Sequence, residues 1–346
     1  MKCNDTQFSK PARWNFSALG FALFSLLVFA RGEQAQAALA FEVAPQDVDR
    51  IIVVGLEAHV QLNAQPNAPK LRVSGIDETS DPGNFALEKK DRILFIKMQE
   101  YSDKKEWKEA LTRAPKRKTL EFTGASVPVE IQLREGQVTS QKWTKELKVS
   151  LVKGRVTASG GSASLTIQIQ NGDATVQDQS SKVAADVYKG NLTVRNLQGD
   201  LEGSVYAGTM TVEKSKGVLT LNTTQSTAKI LQSSGTLQFE NVKGSIVTQQ
   251  FAGRVDGQTG EGAVSLGILP DTDVHVKATS GRVSVQTVAG SGAFLNLLST
   301  DGEITVPGEL KVNRSATEKT VRGRLKGGEQ KGSIVVRSQE GNIVVK

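Results

Sequence analysis

The nine-residue period of glycine is the feature that most restricts the fold of this chain. Cutting the sequence every nine residues from Gly172 to Pro270 gives eleven units, and each begins with Gly or Ser. The second and fourth positions are mostly Thr, Asp, Lys, Ser or Gln, whereas the third is always apolar. The third positions are Ala174, Val183, Leu192, Leu201, Met210, Leu219, Ala228, Leu237, Ile246, Val255 and Val264. This alternation predicts one short strand per unit, with its third residue directed inward and a corner at each Gly or Ser.

Two architectures can place such strands side by side, a solenoid or a meander of antiparallel hairpins. Short hairpins favour two-residue turns rich in Asn-Gly or Asp-Gly, and these are scarce in the repeat. The sequence therefore predicts an all-β fold, a parallel β-solenoid or β-helix built from Gly-punctuated units of about nine residues. Segment 187–190 is repeated in similar form two units later, at 205–208, which indicates two strands per coil. Segment 251–253 resembles 206–208 at an interval of five units, an odd number, so the number of strands per coil stays open.

The segment 1–40 has the order of a secretory signal peptide. Basic residues come first, an uncharged run rich in Leu and Phe follows from Phe16 to Ala30, and small residues end the segment. This order predicts export, with cleavage after Ala37 or Ala40. The alternative is an uncleaved membrane anchor, but the apolar run is shorter than the roughly 20 residues that span a bilayer.

Removal of this leader sets the chemistry of the mature chain. Cys3 is the only cysteine and would be lost, so neither disulfides nor thiolates are expected. The leader holds four Lys/Arg and two Asp/Glu, so the formal net charge falls from +7 to +5. This mild, interleaved charge predicts no nucleic-acid partner, and no other stretch is apolar enough for a transmembrane span.

The mature chain divides into three predicted regions. Residues 41–100 form an N-terminal β region that covers one end of the solenoid, 101–119 form a basic insertion, and 120–346 form the repeat array. Natural proteins guard exposed strand edges. We therefore expect the strand at Gly341–Lys346 to tuck back beside an earlier strand, which would keep the protein monomeric.

The basic insertion has two interpretations. A solvated surface segment is favoured, because blocks of charge are usually surface. The alternative is a contact for an anionic polymer, with the aromatic ring stacking on a sugar. The contact residues would be Lys104, Lys105, Trp107, Lys108, Arg113, Lys116, Arg117 and Lys118.

The sequence offers little for catalysis or metal binding. His59 and His275 are the only histidines, and both occupy alternating runs where an outward strand position is expected. Asp173, Asp200 and Asp256 lie singly near glycines, which favours hydrogen bonds in turns over a calcium ladder. We predict no catalytic residue, no metal site and no cofactor.

Three short predicted strands open the mature chain, at Ile51–Gly55, Val60–Leu62 and Leu71–Gly75, and Gly-x-Val-x-Val ladders follow them. In these motifs the chain resembles the bacterial putative-adhesin domain family. The resemblance implies a Gly-rich, β-helix-like envelope protein and supplies no catalytic residues. The basic insertion and the long leader depart from the family's usual pattern.

Together these patterns predict a non-catalytic, exported cell-envelope protein in the periplasm or on the outer cell surface. It would serve as an adhesin-like interaction or polymer-binding module, with an envelope or surface component such as anionic polysaccharide as partner. Two alternatives are a self-assembling envelope scaffold and a β-helical carbohydrate-active enzyme. The enzyme would need acidic residues clustered across coils, and sequence alone does not show which residues are adjacent.

Overall fold

A computed structural model describes residues 37–77, 85–98, 118–288, 292–325 and 332–346, all within one unit spanning 36–346. Apart from one 3-10 turn at Pro45–Asp47, the regular structure of these residues is β-strand. The strands are β1 Ala37–Val43, β2 Arg50–Ala64, β3 Leu71–Asp77, β4 Phe85–Lys90, β5 Ile93–Met98, β6 Lys118–Gly124, β7 Val129–Gln141, β8 Leu147–Ser159, β9 Leu165–Gln177, β10 Val183–Arg195, β11 Leu201–Glu213, β12 Lys216–Leu231, β13 Ser234–Asn241, β14 Ser245–Thr259, β15 Ala263–Ile268, β16 Asp273–Ala278, β17 Val283–Gln286, β18 Phe294–Ser299, β19 Ile304–Thr305, β20 Asn313–Arg314, β21 Lys319–Arg324, β22 Ser333–Ser338 and β23 Ile343–Val345.

The architecture is a parallel β-solenoid of about nine turns, which confirms the predicted fold class. Residues two repeat units apart lie on neighbouring coils, so that Val183 pairs with Leu201 and Leu192 with Met210. Each coil therefore holds two nine-residue units. In the long strands β7 to β11, a first arm precedes a glycine corner and a second arm follows it.

The glycine corners exist because neighbouring coils approach too closely for a side chain. Gly190 has φ of 139°, and a Cβ placed on it would lie 1.8 Å from the carbonyl oxygen of Gly172 in the previous coil. An L-residue would be both strained and in collision there. Ser226 occupies one such corner, and its hydroxyl donates to the carbonyl oxygen of Val205 at 2.9 Å.

The opposite corner uses left-handed residues other than glycine, which the repeat did not predict. Asp178, Asn196, Lys214, Gln232 and Gln250 recur once per coil with φ between 49° and 56°. Each precedes a side chain that turns inward to fill the corner. These fillers are Gln179, Leu197, Ser215, Ser233 and Phe251.

The core is one continuous column of apolar side chains between the arms. All eleven residues predicted to point inward are buried, and so are most of the residues two positions later, such as Val194 and Leu221. Strict alternation of inward and outward residues, seen along β10, produces this segregation.

The end of the chain does not form the last coil. β16 pairs with β22, and β22 pairs in turn with β18, so that Val274, Ile334 and Leu295 occupy successive rungs. In the same way β23 lies between β17 and β19. The coil formed by 333–345 is thus inserted between two coils that precede it in sequence. The predicted tuck of the last strand beside an earlier one is confirmed.

Antiparallel strands cover both ends of the stack. At one end β21 pairs antiparallel with β18. At the other end, β2 pairs with β7 on one side and with both β5 and β6 on the other. Beyond them, β4 pairs antiparallel with β5, β3 with β6, and β1 with β3. Strands β1 to β6 thus lie at this end of the stack.

Candidate ligand-binding groove

An open groove of about 700 Å³ crosses the first arms near the C-terminal half of the solenoid. Its walls are the outward side chains of β12, β13, β14, β16 and β22. The lining residues are Thr220, Asn222, Gln238, Phe239, Glu240, Arg254, Asp256, Gly257, Gln258, His275, Val276, Lys277, Val335 and Arg337.

The parallel register arranges these side chains in two columns that run along the solenoid axis. One column contains Thr220, Gln238, Asp256, His275 and Val335 on successive rungs. The other contains Asn222, Glu240, Gln258, Lys277 and Arg337. Rungs of a β-sheet lie about 4.8 Å apart, so the groove presents polar groups at regular, short intervals.

The base of the groove is formed where glycine replaces an inward side chain. A Cβ added to Gly257 would lie 2.0 Å from Cζ of Phe239, one rung away. The aromatic ring therefore occupies the space that a side chain at 257 would need. Phe239 is buried yet lines the groove, which gives the polar walls an apolar floor.

Asp256 is the electrostatic centre of the first column. Arg254 donates to it through Nη2 at 3.1 Å and through Nε, and Nδ1 of His275 lies 3.4 Å from its Oδ1. The hydrogen bonds from Arg254 lower the pKa of Asp256 below its ordinary value of 3.8, against a smaller opposing effect of burial. The carboxylate is therefore held ionised and accepts hydrogen bonds, the opposite of the raised pKa that a general acid requires.

The groove corrects one sequence expectation and confirms another. Asp256 was expected to form hydrogen bonds in a turn, but it lies within β14 and accepts from the side chain of Arg254. His275 is an outward strand residue, as predicted. Asp173 also lies within a strand, β9, where it directly follows the corner at Gly172 and accepts from the backbone amide of Asn191 on the next coil at 3.2 Å. Asp200 lies in the turn before β11, as expected, and accepts from the backbone amide of Val218 at 3.0 Å.

The remaining predicted sites are only partly covered by the described residues. Of the predicted polymer contacts, Lys104, Lys105, Trp107, Lys108, Arg113, Lys116 and Arg117 lie outside them, and Lys118 begins β6. Ala37 and Ala40, the two predicted cleavage positions, lie in β1. His59 lies in β2 with its side chain partly buried, away from the groove.

Sequence reasoning missed the groove because it could not show which outward residues are neighbours. A period of two units would have aligned Gln238 with Asp256. The sequence interval from Asp256 to its partner His275 is one residue longer than that period. Val335, the partner of His275 on the next rung, lies much later in the sequence. No repeat period reveals that juxtaposition.

Neither a membrane-spanning helix nor a metal cluster occurs in the described ranges. No helix among these residues is long and apolar enough to cross a bilayer. Within the same part of the chain, no group of three or more His, Cys, Asp or Glu side chains is placed to hold a metal ion.

Comparison with known proteins gives distant structural likenesses. No family model and no curated protein matches the sequence. A "putative cell adhesion protein" from Clostridium sporogenes is 11% identical, with 90% of this chain and 99% of that chain covered and a TM-score of 0.28. A "putative lipid binding protein" from Parabacteroides distasonis is 12% identical, with 89% and 96% covered and a TM-score of 0.34. A "putative adhesin" from Parabacteroides merdae is 11% identical, with the same coverage and a TM-score of 0.24. Likenesses this distant carry no inference about ligand or partner, so the proposal that follows rests on the groove.

Proposed function

We propose that this protein is a non-catalytic, exported cell-envelope module that binds an extended polysaccharide in the groove on its first arms. The observation that carries the proposal is the pair of polar columns crossing five rungs above an apolar floor. Solenoids commonly use such extended surfaces for binding.

The chemistry of the lining suits a chain rich in hydroxyl groups. Gln238, Gln258 and Asn222 each carry an amide that both donates and accepts, and Glu240 and Asp256 accept. A sugar hydroxyl can satisfy either kind of partner, because it donates one hydrogen bond and accepts others.

The N-terminal strand supports export with cleavage after Ala37. Leu39 is buried, and the backbone of 38–43 pairs with 71–76 of β3. Cleavage after Ala37 would keep these contacts in the mature protein, whereas cleavage after Ala40 would remove half of the strand. Mass measurement of the secreted protein tests this directly, and a mature N-terminus at Phe41 would contradict it.

Binding is tested with the mature protein and a panel of soluble polysaccharides by isothermal titration calorimetry. The double variant Gln238→Ala/Gln258→Ala should weaken binding of the recognised polymer about tenfold, because each lost hydrogen bond contributes roughly 0.5–1.5 kcal/mol. The control Gln177→Ala/Gln225→Ala removes the same side chains from exposed positions outside the groove. Equal weakening by both pairs, or no binding by any polymer, would refute the proposal.

Localisation is tested by cell fractionation combined with protease shaving of intact cells. Recovery in the envelope fraction is expected. Protection from protease would place the protein in the periplasm, digestion would place it on the outer surface, and recovery in the cytoplasm would contradict the proposal.

A further inference from the structure

Cross-rung pairs of positive charge are rare in this solenoid. Where two charged side chains face each other on neighbouring rungs, their charges are usually opposite, as for Lys153 and Glu135 or Arg195 and Glu213. Among the described residues, two register pairs bring cations opposite one another: Arg314 with Lys319, and Lys277 with Arg337.

The first cationic pair shows what such an arrangement binds. Nη2 of Arg314 lies 3.1 Å from a carboxylate oxygen of Glu303, and Nζ of Lys319 donates to the other oxygen of the same carboxylate. One carboxylate is therefore shared by both cations, which lowers the pKa of Glu303 below its ordinary value of 4.5. The repulsion between the two cations is offset by a single anion.

The second cationic pair has no such partner in the described part of the chain. Lys277 and Arg337 are both exposed, lie on adjacent rungs and line the groove, and neither forms an ion pair with another described residue. Like charges directly opposite one another destabilise a sheet. Arg337 reaches this position only through the inserted coil, so the fold itself brings the two cations together.

The rest of the groove restricts the anion that could bind there. Glu240 lies two rungs from Lys277 in the same column, and Asp256 lies in the other column. A polymer with a negative charge on every unit would be repelled by these carboxylates. A polymer with charged units separated by neutral sugars would place its anion on the cations and its hydroxyls on the amides and carboxylates.

We propose that Lys277 and Arg337 form an anion subsite that binds the carboxylate or sulfate group of an acidic polysaccharide whose charged sugars alternate with neutral ones. This inference rests on the proposed function, since it specifies the polymer that the groove recognises. The guanidinium supplies a planar pair of donors and the ammonium a point charge, the combination that two-point recognition of an oxyanion uses.

A measurement without ligand tests whether Lys277 and Arg337 repel each other in the folded protein. Lys277→Gln and Arg337→Gln should each raise the melting temperature slightly at low ionic strength, because each removes the repulsion. Lys229→Gln, an exposed lysine on the second arm of β12, is the matched control and should leave it unchanged. A lower melting temperature for both groove variants would show that a group of the protein already pairs with them, and would overturn the subsite.

A binding measurement tests the ligand class. Calorimetric probes are hyaluronate oligosaccharides for carboxylates that alternate with neutral sugars, κ-carrageenan oligosaccharides for sulfates that alternate with neutral sugars, neutral chitooligosaccharides, and polyphosphate for unbroken charge. Lys277→Gln should weaken binding of the alternating polymers about tenfold, as loss of a charge-assisted contact does. Lys229→Gln should not weaken it. A greater loss for carrageenan than for hyaluronate would assign the subsite to sulfate, and a greater loss for hyaluronate would assign it to carboxylate.

The outcomes separate this inference from the proposed function. Binding of neutral chitooligosaccharides that depends on Gln238 and Gln258 but not on Lys277 would overturn the subsite and leave the function intact. Binding of polyphosphate as tightly as of hyaluronate, or equal losses in Lys277→Gln and Lys229→Gln, would show unspecific attraction to polyanions and overturn the subsite. Absence of binding by every sugar probe would refute the function as well.

Discussion

Inward and outward residues of the arms differ in the substitutions that they tolerate, although they alternate along one strand. Leu219 is fully buried in the apolar column, and Thr220, the next residue, faces the groove. We expect Leu219→Asp to lower the free energy of unfolding by more than about 4 kcal/mol, since it buries an unpaired charge. Thr220→Asp should cost about 1 kcal/mol or less. Urea denaturation followed by circular dichroism measures both, and similar midpoints for the two variants would contradict the register.

For single residues, the sequence predicts well which side chains form the core, but poorly which side chains line the groove together. Alternation together with a nine-residue period is enough to identify Leu192, Met210 and Ile246 as inward, because both signals are local. The neighbours of Asp256 on adjacent rungs are not local in sequence, since His275 lies on another strand and Gln238 on a third. The left-handed corner residues were also not predicted, because Asp, Asn, Lys and Gln share no obvious pattern except their recurrence once per coil.

At the level of the elements, replacement of the chain between β5 and β6 tests directly whether that segment contributes to folding. β5 and β6 both pair with β2, so they form the two arms of one coil. In β10 the arms are joined by a corner of only a few residues around Gly190. We therefore expect replacement of residues 99–117 by a short Gly/Ser corner to leave the melting temperature within about 2 °C, because ordinary coils need no more chain there.

The same replacement distinguishes the two interpretations of the basic insertion. If the segment is only surface, polysaccharide binding should be unchanged, because the groove lies on other coils. Loss of binding with the melting temperature preserved would instead assign the polymer contact to Lys104, Trp107 and their neighbours.

The inserted C-terminal coil leads to a prediction about association. β23 is paired on both sides, so a truncation after Glu340 would expose the facing edges of β17 and β19. We expect the full chain to be monomeric, and the truncated chain to be destabilised by several kcal/mol and prone to associate. Multi-angle light scattering over a concentration series, alongside thermal unfolding, measures both effects. Filaments of the full chain that disappear on truncation would favour the envelope-scaffold alternative.

The sequence predicted that this strand turns back, but not where it goes. The general avoidance of open edges favoured a closed arrangement, and that reasoning holds for any solenoid. The destination is the gap between β17 and β19, two strands that the sequence pattern does not identify as neighbours of β23.

For the molecule as a whole, ion pairs make the free energy of unfolding depend on pH in the acidic range. The pKa values of Asp256, Glu303 and Glu88 are lowered from ordinary values of 3.8, 4.5 and 4.5, in each case chiefly by hydrogen bonds from Arg or Lys. A lowered pKa means that the folded state favours the carboxylate, so the added stability is present above the ordinary pKa. It is lost as the pH falls through the folded-state value.

We therefore expect the urea midpoint to be level near neutrality and to fall once the pH drops below about 4.5. The double variant Asp256→Asn/Glu303→Gln should show a lower midpoint near neutrality and a shallower fall in acid. Parallel curves for the variant and the parent protein would contradict this assignment. The control Asp186→Asn, at an exposed position of β10 away from these three carboxylates, should reproduce the parent curve.

The inserted coil also fixes an order of assembly. A solenoid whose last coil lies at its end can grow rung by rung as the chain emerges, each coil using the previous one as template. Here the coils that contain β16 and β18 leave a gap between them until residues 333–345 fold into it. Those residues come long after β16 in the sequence. Such a long-range step is slow and leaves edges exposed in the meantime. Since Arg337 arrives with that segment, the groove and the sealed fold are completed by the same event. A molecule that lacks this segment would be unfinished in both respects, with strand edges exposed and Arg337 missing from the groove.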